Sequence, residues 1–506
     1  MAAADESLTL VWFRDDLRVR DHAALTAARA DGRVIAVWIR EARDDEGLGP
    51  RPLGGASRWW AHESLAVLHQ ELSELSIPLL FAAGEAAGII PQLASRLGVD
   101  AVRWSRRYAP ASRALDSQIK TALSNQGIAV HSHIGSLLVE PWTAAPQGGD
   151  HYKVFTPFWK AVSGREVGDV LPTPEPQTQL DPALLESARA CSAVTDLDGL
   201  GLLDGTGSGS GDFAAAGGPR WWQNTVARHW SPGLRAAASQ LEDLGAGIDG
   251  YSTTRDVPSD ATSTSRLSPR LRFGELSPRQ LLHAAQTTTS VSADDRAAWI
   301  RQLYWREFSW HLTYHYPDID YTPIRDEFRH FPYEDDDEAL ARWRSGTTGY
   351  PLIDAGMAQL WETGWMHNRV RMVTASFLTK NLLQHWWSGE QWFWDTLVDA
   401  DEANNPVSWQ WVAGSGADAA PYFRVFNPER QRERFDPDGA YIDDWLPYST
   451  DASPTHIVDL ADSRHAALGA YDRMKNMSAG AEPAGPESAG PESAGPEPAG
   501  QKSAED

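Results

Sequence analysis

Short apolar runs alternate with stretches of helical periodicity through residues 1–135, the pattern a parallel α/β sheet requires. The runs Leu8–Phe13, Val34–Ile39, Leu79–Ala82, Ala101–Trp104 and Ala129–Ser132 predict five strands. Between them lie helical stretches such as Ser57–Leu75, where Trp59, Leu65, Leu68 and Leu72 recur at helical spacing. An open sheet of this kind binds ligands beyond the carboxyl ends of its strands.

Over residues 136–220 the pattern breaks into Pro, Gly, Asp and Ser, and the segment reads as an interdomain linker. Its run Gly205-Thr-Gly-Ser-Gly-Ser-Gly211 is no phosphate loop, because no strand precedes it and no Lys-Ser/Thr ends it. Residues 221–450 turn helical. Ser268-Pro269 and Ser277-Pro278 each offer an N-cap hydroxyl before a helix-starting proline, and Gln280 completes a capping box with Ser277. Gly364 stands where a helix from Pro351 to Glu362 needs a left-handed stop. A C-terminal extension spans 451–477. The repeat over 478–506 holds no apolar residue larger than alanine and is expected to be a disordered acidic tail.

Length and composition narrow the class. The 506 residues exceed one core and suit two domains, and no apolar run approaches membrane-spanning length. The opening residues lack the basic region of a signal peptide, so a cytoplasmic location is expected. A single cysteine, Cys191, excludes a disulfide framework and a multi-cysteine metal site. A net charge of −24 opposes general attraction to nucleic acid, so any DNA site must be a local basic surface. The 23 tryptophans exceed what packing needs and hint at redox or stacking chemistry.

The densest polar constellation lies between Trp299 and Asn427. It comprises Trp305-Arg-Glu-Phe308, Gly364-Trp-Met-His-Asn-Arg-Val-Arg-Met372 and Asp399-Ala-Asp-Glu-Ala-Asn-Asn405 with Trp409-Gln-Trp411. A buried charge costs several kcal/mol unless paired, so Arg371 requires an acid, supplied by Asp399 or Asp401. One such pair would do no more than lock two helices; three blocks together ask for a ligand.

These blocks, with Thr264-Ser-Arg-Leu-Ser268, Ala419-Ala-Pro-Tyr-Phe-Arg-Val-Phe-Asn-Pro428, Val11-Trp-Phe-Arg-Asp-Asp-Leu-Arg18, Tyr152-Lys-Val-Phe-Thr-Pro-Phe158 and Thr348-Gly-Tyr-Pro351, resemble class I DNA photolyases of the photolyase/cryptochrome family over about residues 7–447. The resemblance implies an α/β Rossmann-like antenna domain followed by an all-α domain that holds FAD. It implies that Thr264, Ser265, Arg266, Leu267 and Ser268 hold the diphosphate, with Tyr251 and Trp299 as further cofactor contacts. Arg371 and Asp399 would flank the flavin ring beside Ala400 and Asp401, and Asn405 would face N5, where an amide can either accept or donate. Trp305 and Trp411 match the aromatics that cradle a flipped-out pyrimidine dimer, and Asn368 and Met372 match residues touching the lesion. Arg255, Arg369 and Gln431 match positions near the DNA backbone, and Arg306, Arg430, Arg432 and Arg434 would enlarge that basic face. Trp409 and Trp386 match the inner members of an electron-transfer chain. Its surface position aligns with Tyr333, with Trp387 and Trp343 as alternatives.

Two departures bear on activity. Dimer-specific photolyases carry Glu where Gln302 stands, and Gln is typical of the (6-4) branch; yet Asn368 and Met372 stand where that branch places its second pocket residue and catalytic histidine. The resemblance therefore implies light-driven repair of cyclobutane pyrimidine dimers in UV-damaged DNA by a monomer without an obligate protein partner, metal or net redox change. A (6-4) enzyme, a cryptochrome-type photosensor and a cofactor-free binding module are the competing readings. Ala111 and Ser112 replace the acidic residue of folate-using members, leaving deazaflavin, folate, another flavin or no second pigment open.

Overall fold

The computed structural model describes residues 7–43, 47, 49–204, 222, 225–260, 262, 264–418, 423–446 and 455–479. The glycine run 205–211, Trp221, Ala419–Tyr422 of the motif above and the repeat from 480 lie outside them.

The N-terminal half is built on a six-stranded sheet in the order β5-β4-β1-β2-β3-β6. Its strands are β1 (Leu8–Phe13), β2 (Arg33–Glu41), β3 (Leu79–Gly84), β4 (Ala101–Ser105), β5 (Ala129–His133) and β6 (Val194–Thr195). The first five are parallel, in registers such as Val11↔Ala36 and Thr9↔Ala101. Both faces are apolar because helices cover both. Val11 and Phe13 pack with Leu25, Trp59, Leu65 and Leu68 on one side. Leu10 and Trp12 pack with Ile89, Leu93, Leu115 and Ile119 on the other. From β1 the chain proceeds outward to β2 and β3, then returns to lay β4 and β5 on the opposite flank. A topological switch point therefore falls between β1 and β4.

The five predicted strands are present, β1 with the expected bounds and the other four longer by one to three residues, and the helix expected at Ser57–Leu75 runs Gly55–Glu74. Segment 136–204 carries more structure than a linker. It contains the helices Phe155–Val162 and Pro182–Arg189 and the strand β6, which pairs antiparallel with β3. Gln177 laces this segment to β2: its Oε1 accepts from Val34 N at 2.7 Å and its Nε2 donates to Val34 O at 2.8 Å.

The helical half includes the helices Ala293–His315, Pro351–Thr363, Asn368–Ser376, Trp386–Thr396 and Asn404–Ala413. The Ser277 capping box forms as expected, and Gly364, at φ +66°, closes the helix Pro351–Thr363. Ser268 departs from expectation. Leu267 occupies the cap position, and the Ser268 hydroxyl instead donates to Asp399 Oδ2 at 2.7 Å. The extension beyond 451 contains one long helix, Leu460–Ala479.

The halves meet backbone to backbone. A side chain at Gly274 would collide with the main chain of Asp15 and Asp16, and one at Gly54 with that of Trp394 and Asp395. Buried Arg18 spans the seam, donating to the carbonyls of Gly274 at 2.9 Å and Gly135 at 2.7 Å. No helix among the described residues is long and apolar enough to cross a membrane.

Candidate active site

Segment 264–272 is tied to the loop before the helix Asn404–Ala413. Ser268 reaches Asp399, and Arg272 Nε donates to Ala400 O at 2.7 Å. Asp399 also takes both guanidinium nitrogens of Arg371, at 3.1 and 2.9 Å, while Arg371 Nε donates to Met366 O. Asp399 is therefore the acid Arg371 requires. Asp401 does different work: it accepts from the backbone of Ala403 and Asn404 and from the Asn404 amide, fixing the start of the next helix.

Ser265 accepts from Trp299 Nε1 at 3.1 Å, and its carbonyl accepts from Gln240 at 2.7 Å. Arg266 holds φ +49°, a conformation L-residues rarely adopt. Its guanidinium lies over the Trp365 ring at 4.9 Å, its buried Nε has no hydrogen-bond partner, and burial alone lowers its pKa. No carboxylate pairs with it among the described residues. Tyr251 follows at the rim, with the Arg255 guanidinium 5.8 Å above its ring.

Asn405 is buried, and its Nδ2 donates to both Glu390 O (3.0 Å) and Glu390 Oε1 (2.7 Å). Both amide hydrogens are thus committed, and only Oδ1 remains for a ligand. Glu390 is fully buried, and Arg51 from the sheet half binds it bidentately at 2.6 and 3.1 Å. Burial pushes the Glu390 carboxyl up, and Arg51 pulls it back. Sequence reasoning missed both residues. Glu390 lies inside the aromatic stretch Trp386–Trp394, where the rule that exposed Arg371 applies equally.

Trp305 and Trp411 are half-buried. Trp305 is backed by Phe155, its ring centroid 3.6 Å away and nearly parallel. Trp411 Nε1 donates to Asp418 O at 3.1 Å. Asn368 is exposed and touches Met372 at 3.8 Å. Gln302 is half-buried and turns its amide back to Ala298 O. Arg369 pairs with Asp256 at 2.7 Å and lies over Phe435, while Gln431, Arg430, Arg432 and Arg434 share the helix Pro428–Phe435. Arg306 does not belong to this face. It is half-buried, donating to Ser136 O at 2.7 Å and lining the crevice between the two halves.

That crevice opens at the ends of β1 and β4 and is lined by Arg14, Asp15, Arg106, Arg107, Tyr108 and Trp310, among others. Ser112 is buried in the helix Pro110–Asn125 and presents no acid.

Trp409 and Trp386 are buried. His385 stacks on Trp386 at 5.7 Å, and Tyr333 contacts His385 at 4.5 Å. Trp343 lies 6.1 Å from Trp409 but is wholly buried, which excludes it as a surface terminus; Trp387 is exposed.

An α/β sheet with a switch-point crevice is joined to a helical body holding an arginine with no carboxylate partner among the described residues and an amide with only its oxygen uncommitted, an arrangement suited to a nucleotide cofactor. Family models agree: "DNA photolyase" matches residues 9–177 and "FAD binding domain of DNA photolyase" matches 299–476. A deoxyribodipyrimidine photo-lyase of Agrobacterium fabrum is 41% identical over 87% of this chain and 86% of its own. Cryptochrome-2 of Arabidopsis thaliana is 34% identical over 87% of this chain and 70% of its own. The crystal structure of a bacterial class III photolyase from Agrobacterium tumefaciens superposes with a TM-score of 0.84 at 38% identity, covering 93% of this chain and 98% of that one. The chain belongs to the photolyase/cryptochrome family. It is an enzyme of the photo-lyase type, and its cofactor is FAD.

The residues fit that cofactor. Arg266 is a half-buried cation with no carboxylate partner among the described residues, suited to a diphosphate. Ser268 is exposed between buried Leu267 and Pro269, with its hydroxyl beside the Arg371–Asp399 pair.

Proposed function

We propose that the protein repairs cyclobutane pyrimidine dimers in UV-damaged DNA, using light. The observation that carries this reading is the pair of anchored, half-exposed aromatics, Trp305 backed by Phe155 and Trp411 held by Asp418, with Asn368 and Met372 nearby. The helix bearing Trp411 packs against both the helix of Trp305 and that of Met372. Two π faces offer an extruded pyrimidine pair a place to stack, and an already unstacked lesion costs less to extrude.

Bound FAD would supply light absorption and the transferable electron. Residues 264–268 would hold its diphosphate, Tyr251 would be a further contact and Trp299 would support that segment, while Arg371 with Asp399 would orient the ring. Asn405, able only to accept, would favour a protonated N5. Gln302 would donate to the pyrimidine carbonyls, a hydrogen bond without a proton to give. Arg255, Arg369 and Gln431 would contact the DNA backbone, a local surface that answers the acidic net charge. Electrons from outside would reach the cofactor through Trp386 and Trp409, with Tyr333 as the terminus on the strength of its contact with His385. The crevice beside Arg107 and Tyr108 would seat any second pigment, and the missing acid at Ser112 argues against folate. The likeness to the class III enzyme supports that subclass over class I.

Illumination of the reduced holoprotein with oligonucleotides bearing one thymine dimer or one (6-4) lesion is the test. Restoration of the dimer alone is expected. Activity confined to the (6-4) lesion would mean that Gln302 sets the substrate, and activity on neither would favour a photosensor.

A further inference from the structure

We propose that Asp418 is a positioning residue that clasps the two aromatic walls together and so sets the affinity for a flipped-out pyrimidine pair. The inference rests on the repair reading above and deepens it.

Asp418 bonds in two directions from one backbone position. Its carboxylate Oδ2 accepts from Phe155 N at 3.0 Å, and its carbonyl accepts from Trp411 Nε1 at 3.1 Å. Phe155 in turn lies flat on Trp305, rings 3.6 Å apart and 8° from parallel, with the Arg301 guanidinium 5.3 Å from the Phe155 ring. A continuous path, Trp411–Asp418–Phe155–Trp305, therefore runs from the helix Asn404–Ala413 to the helix Ala293–His315.

Local structure shows why an aspartate serves here. Phe155 opens the helix Phe155–Val162, so its N–H is among the donors a helix leaves unsatisfied. Val154, at the cap position, has no side-chain acceptor. Asp418 supplies it from 263 residues away in sequence, and a carboxylate is favoured at a helix N-terminus. The backbone of Asp418 sits at φ +54°, in the left-handed region that Asp and Asn tolerate better than other L-residues. That conformation lets the carbonyl meet one wall while the carboxylate meets the support of the other.

The test compares the full-length holoproteins Asp418→Ala, Asp418→Gly and Asp418→Asn with wild type. Binding is measured in the dark to an oligonucleotide with one thymine dimer and to its undamaged counterpart. Asp418→Ala and Asp418→Gly are expected to lose about tenfold in affinity for the dimer, the loss of part of one stacking contact. Affinity for undamaged DNA and the flavin absorption spectrum are expected to stay unchanged. Asp418→Gly relaxes the backbone, so its loss isolates the carboxylate. Asp418→Asn keeps an acceptor for Phe155 N and is expected to match wild type. Unaltered dimer affinity in Asp418→Ala, equal loss on damaged and undamaged DNA, or an Asn variant as weak as the Ala variant would each overturn the proposal. A wild type that does not discriminate dimer from intact DNA would instead refute the repair reading.

Discussion

Asn405 shows how two hydrogen bonds decide the role of an ambivalent side chain. An amide can present either end to a ligand; here the Glu390 carbonyl and carboxylate consume the nitrogen end. Asn405→Ala should therefore remove the acceptor together with the two hydrogen bonds its nitrogen gives Glu390, leaving Arg51 as the remaining side-chain partner of that carboxylate. The expected outcome is roughly tenfold faster reoxidation of the photoreduced holoprotein in air, about the worth of one hydrogen bond, with flavin content retained. An unchanged reoxidation rate would show that Oδ1 does not touch the cofactor. This direction was not legible in the sequence, which left donor and acceptor both open, because the partner fixing it sits on a different helix. The Arg371–Asp399 pair was half legible. Burial demanded an acid, but choosing Asp399 over Asp401 depended on Asp401 being taken by the backbone of Ala403 and Asn404.

The helix Asn368–Ser376, which carries Asn368, Arg371 and Met372, begins on His367, whose Nδ1 accepts from Arg369 N at 3.2 Å. That cap requires an unprotonated ring nitrogen, and burial lowers the His367 pKa to about 4. A pKa depressed on folding means the unfolded chain takes the proton first, so stability present above pH 6.5 is lost as pH falls through 4. His367→Asn keeps a capping oxygen and removes the titration. Its melting temperature should fall less than that of wild type between pH 7 and pH 4, the difference amounting to on the order of 3 kcal/mol. Elements with strong local signals, the five parallel strands and the Ser277 box, were readable in advance. The strand β6, two residues long and defined only by its partner β3, carried no periodicity to read. Ser268 misled for a related reason: its hydroxyl answers to Asp399, 131 residues away, and not to its own helix.

At the scale of the molecule, Arg51 links the sheet half to the flavin side through Glu390. Arg51→Met would leave a fully buried carboxylate without its cation, at a cost of roughly 3–5 kcal/mol. The Glu390 pKa, already raised by burial, would climb further. A carboxyl raised on folding loses its contribution as pH rises through the folded value, so the variant should be more destabilised at pH 8 than at pH 5.5. Adding Glu390→Gln should abolish that slope, which a denaturant titration at the two pH values would check. A slope that persists would assign it to another group.

The glycine seams at positions 54 and 274 have a thermodynamic consequence. Halves with separate cores ordinarily melt as separate units, but the core under the sheet takes in Val226, Phe273 and Val398 of the helical half. Here main chain rests on main chain, and the buried Arg18 guanidinium loses the Gly274 carbonyl if the contact opens. Neither half can come apart without stripping partners from the other. Calorimetry should record one endotherm for the whole chain, and grafting either half onto a foreign neighbour should lower its melting point unless the seam travels with it.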